Sequence, residues 1–247
     1  MAQIAFLGDT HANTAATFEV IDRVAELGVD TIVQCGDFGY WPRLPLGEKF
    51  LRKVSDRLVA NDILLHWVDG NHEDHSRLPH HETQPQSIVH NVIWHPRGTT
   101  SYIGGKKFLW MGGAVSVDKD YRTPGHDWFA NEVPSQDQWD RALSAGPVDV
   151  MVSHDSPEGL ALKGLPWVPQ ELQRASQHMR TGLTNVMELT QPKLVVHGHW
   201  HHRLTTMLGK VLVLSLGHDQ SPLRERGIIL DLDVPDFPSM ISATYFQ

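Results

Sequence analysis

The stretch Ile63-Leu64-Leu65-His66-Trp67-Val68-Asp69-Gly70-Asn71-His72-Glu73 decides the fold. An apolar run stops at a glycine and gives way to a polar cluster. In open sheets built from alternating strands and helices, sites form at the carboxyl ends of strands. The same grammar recurs on both sides. Ile4 to Leu7 ends in Gly8-Asp9-Thr10-His11, and Thr31 to Cys35 ends in Gly36-Asp37. Val148 to Val152 ends in Ser153-His154-Asp155, and Lys193 to Val196 ends in His197-Gly198-His199-Trp200-His201. Between the first three runs, Thr14 to Leu27 and Leu46 to Ala60 carry helical spacing, with Phe18, Ile21, Val24, Ala25 and Leu27 mostly on one side. Alternation of this kind predicts parallel strands joined by crossover helices.

Further out the pattern changes. Val92 to His95, Ser101 to Ile103 and Lys107 to Met111 are short strand candidates, with a hairpin signal at Gly104-Gly105. Asp118 to Val133 reads as a long irregular loop, and loops of that length in compact domains are often functional. Arg122, Trp128 and Glu132 in it are candidates for a substrate wall. Ser135 to Ala145 predicts a helix, and Gln170 to Thr190 one or two. Leu204 to Met207, Val211 to Leu216 and Gly227 to Leu232 read as a β-meander. No repeat or linker interrupts residues 1–247, which predicts a single domain.

Composition bounds the function. The 247 residues carry a formal net charge of -8, which disfavours gripping long nucleic acid by its backbone. Cys35 is the single cysteine, so no disulfide forms within the chain. The opening residues run straight into a strand, and no apolar run approaches the ~18 residues of a membrane span. The expectation is a cytoplasmic protein with no membrane contact and an unspecified oligomeric state.

Asp9 and His11 are two apart, as are His199 and His201, so each pair can point into one site from an extended turn. Carboxylate with imidazole suits Mn, Fe, Zn, Ni or Co better than Ca or Mg. His66 reads as core, His80-His81 as solvated loop, and His218 as a further lining candidate. His197 and His202 read as neighbours of ligands. Gly112-Gly113-Ala114 resembles a turn that brings backbone near the metals.

Taken together, Gly8-Asp9-x-His11, Gly36-Asp37, Gly70-Asn71-His72-Glu73, His154 and Gly198-His199-x-His201 resemble the signature of calcineurin-like metallophosphoesterases. The resemblance spans Gly8 to His201. It implies an α/β fold, a four-layer αββα sandwich of two mixed sheets flanked by helices. It implies two divalent transition-metal ions, with manganese the leading candidate. One would be held by Asp9, His11, Asp37 and His201, the other by Asp37, Asn71, His154 and His199. It also implies attack on phosphorus by a water or hydroxide shared between the metals, with His72 near the leaving oxygen.

The chain departs from the pattern of the superfamily's protein phosphatases. Tyr40 stands where they carry an Asp that pairs with the catalytic His. Gly39-Tyr40-Trp41 and Asp74-His75 replace stretches that supply two phosphate-clamping arginines. A diester carries one charge fewer and needs less clamping. The expected activity is therefore a phosphodiesterase for small, nucleotide-like or cyclic nucleotide substrates. Tyr40, Trp41, Arg122 and Trp200 are the candidate substrate contacts, with Tyr121 and Trp128 adding aromatic surface. A phosphomonoesterase, a nucleotide pyrophosphatase, a DNA nuclease and a metal-free interaction scaffold are the rival readings.

Overall fold

The computed structural model describes residues 3–162, 168–234 and 243–246. Strands β1 (Gln3–Leu7), β2 (Thr31–Gln34) and β3 (Leu64–Trp67) run parallel, joined by helices α1 (Thr14–Glu26) and α2 (Pro45–Ala60). Strands β4 (Gln86–Val89) and β5 (Val92–Trp94) extend this sheet, β5 lying parallel to β3. The chain then builds a second sheet. Strands β6 (Thr99–Ile103) and β7 (Lys106–Met111) form a hairpin through Gly104 and Gly105. Both glycines have positive φ (55° and 74°), as a two-residue turn matched to strand twist requires. After helix α3 (Gln136–Leu143) come β8 (Val150–Ser153), helix α4 (Gln170–Thr190), β9 (Leu194–His197), β10 (Leu204–Leu208) and β11 (Val211–Ser215). A short helix α5 (Leu223–Arg226) leads into β12 (Gly227–Asp231), followed by β13 (Ala243–Tyr245).

The first sheet is ordered β13-β12-β1-β2-β3-β5-β4 and the second β10-β11-β9-β8-β7-β6. Both are mixed, as expected. The β-meander is corrected: β10 and β11 form a hairpin, but β12 crosses to the first sheet and pairs antiparallel with β1. All five residues of β12 are buried, which a place beside a central strand permits and an outer hairpin strand does not. Strand β4 also lay unread, because Gln86 to Val89 has no apolar run.

Alternation along the strands assigns the layers. On β1, Ala5 and Leu7 face Val20, Ile21, Val24, Phe50 and Val54 of α1 and α2. Ile4 and Phe6 face the other way, onto Phe108, Trp110, Val150 and Val196 of the second sheet. On that sheet's far side, Met151 and Val195 pack against Leu172, Leu183 and Val186 of α4. Three apolar layers between four structural ones make the expected αββα sandwich. Strands buried on both faces read as continuous apolar runs, which is why the sequence announces them clearly. The parallel strands β1, β2, β3, β8 and β9 end together at one rim.

Candidate active site

At that rim the chain leaves its strands in strained turns. His11, Asp37, His199 and His201 all have positive φ (44°, 51°, 64° and 51°). Non-glycine residues in this region cost energy and cluster at functional sites. The glycines of the motifs give room for side chains of neighbouring motifs. A Cβ on Gly70 would lie 2.0 Å from Asp37 Oδ1, and one on Gly198 would lie 2.0 Å from Asp9 Oδ1.

Hydrogen bonds lace the five turns together. The Thr10 and His11 N–H groups donate to the Asp37 carbonyl (3.0 and 2.8 Å). His72 N–H donates to Asp37 Oδ1 (2.8 Å), and His199 N–H donates to Asp9 Oδ1 (3.1 Å). Glu73 is a support under the second motif, accepting from Phe38 N–H (2.7 Å) and Tyr40 N–H (2.6 Å). Burial beside Asp37 pushes its carboxyl up to about 8, against those two donors.

The side chains converge. Asp37 Oδ2 lies 3.4 Å from His11 Nε2, and Asp37 Oδ1 lies 3.4 Å from His154 Nε2. His201 Nε2 lies 3.0 Å from Asp9 Oδ2, and Asn71 Oδ1 lies 3.1 Å from His154 Nε2. Asp9 and Asp37 are buried carboxylates whose ion-pair partners among the described residues are histidines alone. Burial works against a charged His11, but the Asp37 hydrogen bond and the Asp37 and Asp9 charges overcome it and raise the imidazole to about 9. The same balance, with Asp37 again the main opponent of burial, raises His154 to about 10. The two buried carboxylates thus hold neighbouring imidazoles protonated, a pull that a bound cation would also satisfy. Donor atoms of Asp9, His11 and His201 lie within 4.8 Å of one another, as do those of Asp9, Asp37 and His154.

A family model, calcineurin-like phosphoesterase, matches residues 2–203. The chain belongs to that family. Family membership makes it a hydrolase of phosphoesters, and its Asp/His clusters are able to hold metal. No curated protein matches the sequence significantly. Among solved structures, TT1561 of Thermus thermophilus superposes with a TM-score of 0.58 at 15% identity, covering 99% of this chain and 98% of that one. A dimetal phosphatase from Danio rerio gives 0.56 at 13%, covering 92% of each. GAP50, the anchor in the inner membrane complex of Plasmodium, gives 0.54 at 11%, covering 93% of this chain and 81% of that one. At such identities the likeness shows the fold alone. No described helix is long and apolar enough to cross a membrane.

All seven residues expected as metal ligands of this phosphoesterase lie at the rim. His72 joins them through its N–H to Asp37, and its ring packs against His11 at 5.6 Å. Arg122 reaches them too: its Nη2 lies 2.6 Å from His72 Nε2 and 2.8 Å from Asp118 Oδ2. Trp41 Nε1–H donates to the His72 carbonyl (3.1 Å), and Trp200 Nε1–H donates to Asp155 Oδ1 (2.9 Å). Tyr40 is corrected. It is 8% exposed and packs on Trp67, so it belongs to the core beneath the site and not to a substrate wall. Glu132 is corrected as well, since it is buried and bound to Ser116. His80 is no solvated loop residue: it hydrogen-bonds His75 (3.1 Å), whereas His81 is exposed. The Gly112-Gly113-Ala114 turn sits against Asp69, whose carbonyl accepts from Gly113 N–H (2.7 Å).

Several supporting contacts escaped the sequence reading. Asp219 Oδ1 accepts from His11 Nδ1–H (2.9 Å), while its Oδ2 accepts from Asn13 Nδ2–H (2.9 Å). Asn13 also caps α1 through its Oδ1 to Ala16 N–H (3.2 Å). His154 Nδ1–H donates to the Cys35 carbonyl (2.8 Å). Such partners fix the ring orientation and tautomer of metal-binding histidines. A signal for Asp219 existed: Val211 to Leu216 ends in Gly217-His218-Asp219, the same strand-to-cluster grammar as the other five.

Proposed function

We propose that the chain is a two-metal phosphodiesterase acting on small, nucleotide-like substrates. The position of Asp37 carries the two-metal part. Its two oxygens face His11 and His154 separately, each at 3.4 Å, as a carboxylate serving two cations would. Asp9, His11, Asp37 and His201 would hold one ion, and Asp37, Asn71, His154 and His199 the other. When bound, two such ions polarise phosphoryl oxygens and lower the pKa of water towards neutrality. The donor set favours manganese, with Fe, Zn, Ni and Co as the alternatives.

The arginines favour a diester. Arg43 is held by Asp74 (2.5 Å) and the His126 carbonyl (3.2 Å), and Arg77 is exposed. Arg122 alone of these three touches a site residue, and Asp118 shares its charge. One shared guanidinium suits a monoanion better than the dianion of a monoester. Burial lowers the His72 imidazole below its ordinary value, and Arg122 adds to this against Asp37. A neutral His72 still offers one N–H to the leaving oxygen. Trp41 and Trp200, both half-buried, flank the rim beside His72 and His199 and would stack on a base.

A dimetal phosphatase and an anchor protein share this fold, so fold does not choose between enzyme and scaffold. The intact ligand set favours the enzyme. Hydrolysis of a nitrophenyl monoester, a nitrophenyl diester, and 2′,3′- and 3′,5′-cyclic nucleotides with Mn²⁺ tests the reading, with Asn71→Ala and His154→Ala beside the native chain. Diester or cyclic nucleotide turnover that both variants lose is the expected result. Faster monoester turnover makes it a monoesterase. Absence of turnover and of tightly bound metal makes it a scaffold.

A further inference from the structure

The segment from Ser116 to Glu132 reaches beneath the rim as well as over it. Ser116 is fully buried and Glu132 is 3% exposed. Ser116 N–H donates to Glu132 Oε1 (2.8 Å), and its Oγ–H donates to Glu132 Oε2 (2.6 Å). Asn71 Nδ2–H in turn donates to Ser116 Oγ (3.0 Å). A serine hydroxyl has one hydrogen, and an ionised carboxylate only accepts. With that hydrogen committed to Glu132, Ser116 can take only a donor from Asn71. One amide orientation then remains. Nδ2 faces Ser116 and Oδ1 faces the rim, 3.1 Å from His154 Nε2. The opposite orientation would present an NH₂ group, which cannot ligate a cation.

Glu132 is itself anchored. Arg97 donates from Nη2 to the Glu132 carbonyl (2.9 Å) and from Nη1 to the Asn131 carbonyl (3.0 Å). The same guanidinium pairs with Asp69, which opens the Asp69-Gly70-Asn71 turn. Both the backbone of Asn71 and the relay to its side chain therefore refer to one buried arginine.

We infer that Glu132, acting through Ser116, is a positioning residue that aims the Asn71 amide oxygen at the metal Asn71 shares with His154. The inference rests on the assignment of Asn71 as a ligand made above. Glu132→Gln is the sharpest probe. The buried Ser116 N–H requires an acceptor, so the glutamine must turn its oxygen there and its NH₂ onto Ser116 Oγ. The serine hydrogen is then released towards Asn71, and the polarity of the chain reverses.

Mn²⁺ titration by calorimetry, with paramagnetic resonance of the loaded protein, tests this on the full chain, native and carrying Asn71→Ala, Ser116→Ala or Glu132→Gln. Asn71→Ala should weaken one of two metals. Ser116→Ala and Glu132→Gln should weaken that same metal by ~10–100-fold, the usual effect of removing an outer partner, and leave the other unchanged. The spin-coupled signal of a metal pair should give way to that of an isolated ion at matched Mn²⁺. If Asn71→Ala binds both metals as the native chain does, the ligand assignment itself falls. If Asn71→Ala weakens one metal while the other two variants bind normally, the relay is overturned and the assignment stands. Equal weakening of both metals in the Ser116 and Glu132 variants also overturns it, because that reports general loss of support rather than lost aim.

Discussion

Asp37 with His11 and His154, and Asp69 with His75 and His80, are two groups of one buried carboxylate and two imidazoles, and they behave in opposite ways. In the first, the histidines are raised to about 9 and about 10. In the second, burial lowers His75 to about 3 and His80 to about 4, with Arg97 adding to it. Donor spacing does not separate them, since Asp69, His75 and His80 also bring ligand atoms within 4.8 Å. Charge does. Asp69 already has a cation: Arg97 pairs with it, and Trp94 Nε1–H donates to its Oδ1 (3.0 Å). Among the described residues, the ion-pair partners of Asp9 and Asp37 are histidines alone. The backbone agrees, since positive φ occurs at His11 and Asp37 but not at Asp69, His75 or His80. Asp69 is neutralised by an arginine, whereas Asp9 and Asp37 face histidines and their clusters are able to take a cation.

The largest effect should come from removing the charge that makes the first group. Asp37→Ala should strip bound metal, measured by elemental analysis, and lower turnover by roughly 10³-fold or more, the size of a lost metal contribution of several kcal/mol. The second group should answer in stability instead. Arg97→Met leaves Asp69 buried without its partner and should cost about 3–5 kcal/mol in denaturant unfolding. Direct metal binding by Asp69 would show as an added metal equivalent in that variant, and that would break the contrast.

Legibility divides along the same line. Asp9, Asp37, Asn71, His154, His199 and His201 were readable because each ends an apolar strand buried on both faces, and because the motif glycines sit beside them. The sheets were readable for the same reason, except where pattern fails. Strand β4 is half exposed, and β12 leaves its hairpin neighbours for β1. Residues that support these side chains were hidden. Ser116 meets Asn71 across 45 residues of chain and Glu132 joins through Ser116, and nothing local in a serine or a glutamate announces those contacts. Tyr40 misled because its position beside Asp37 suggested the rim, while its side chain turns to Trp67.

The contrast in protonation gives a sharper and smaller signal. His11 and His154 must lose protons before their ring nitrogens can ligate. At pH 7, below about 9 and about 10, both carry them, so metal binding should release close to two protons and tighten as pH rises. Calorimetry in buffers of different ionisation enthalpy counts them, and release near zero would sink the charge account. In the metal-free chain these two groups stabilise the fold fully below pH 6.5 and stop doing so as pH rises through about 9 to 10. His75 and His80 run the other way. Their unfolded forms bind protons below pH 6.5 while the folded ones stay neutral, so stability should fall from there towards about 4 and about 3. Metal should not move that acid limb's proton count.

The smallest effect tests how finely the first group is tuned. Asp219 holds His11 Nδ1–H at 2.9 Å, which leaves Nε2 as the nitrogen facing Asp37. It is itself held by Asn13, so the ring is set from the cap of α1. Asp219→Asn keeps an acceptor within reach of Nδ1 and removes only the charge. It should weaken the metal proposed at Asp9, His11, Asp37 and His201 by about 10-fold, the low end for an outer-partner change, and leave the metal proposed at Asn71 alone. Asp219→Ala removes the acceptor too and frees the other tautomer, so it should weaken that metal further. If both substitutions act equally, the carboxylate works on His11 by charge alone. If Asp219→Asn is silent and Asp219→Ala is not, ring orientation is what the rim needs from its neighbours, as it is for Asn71.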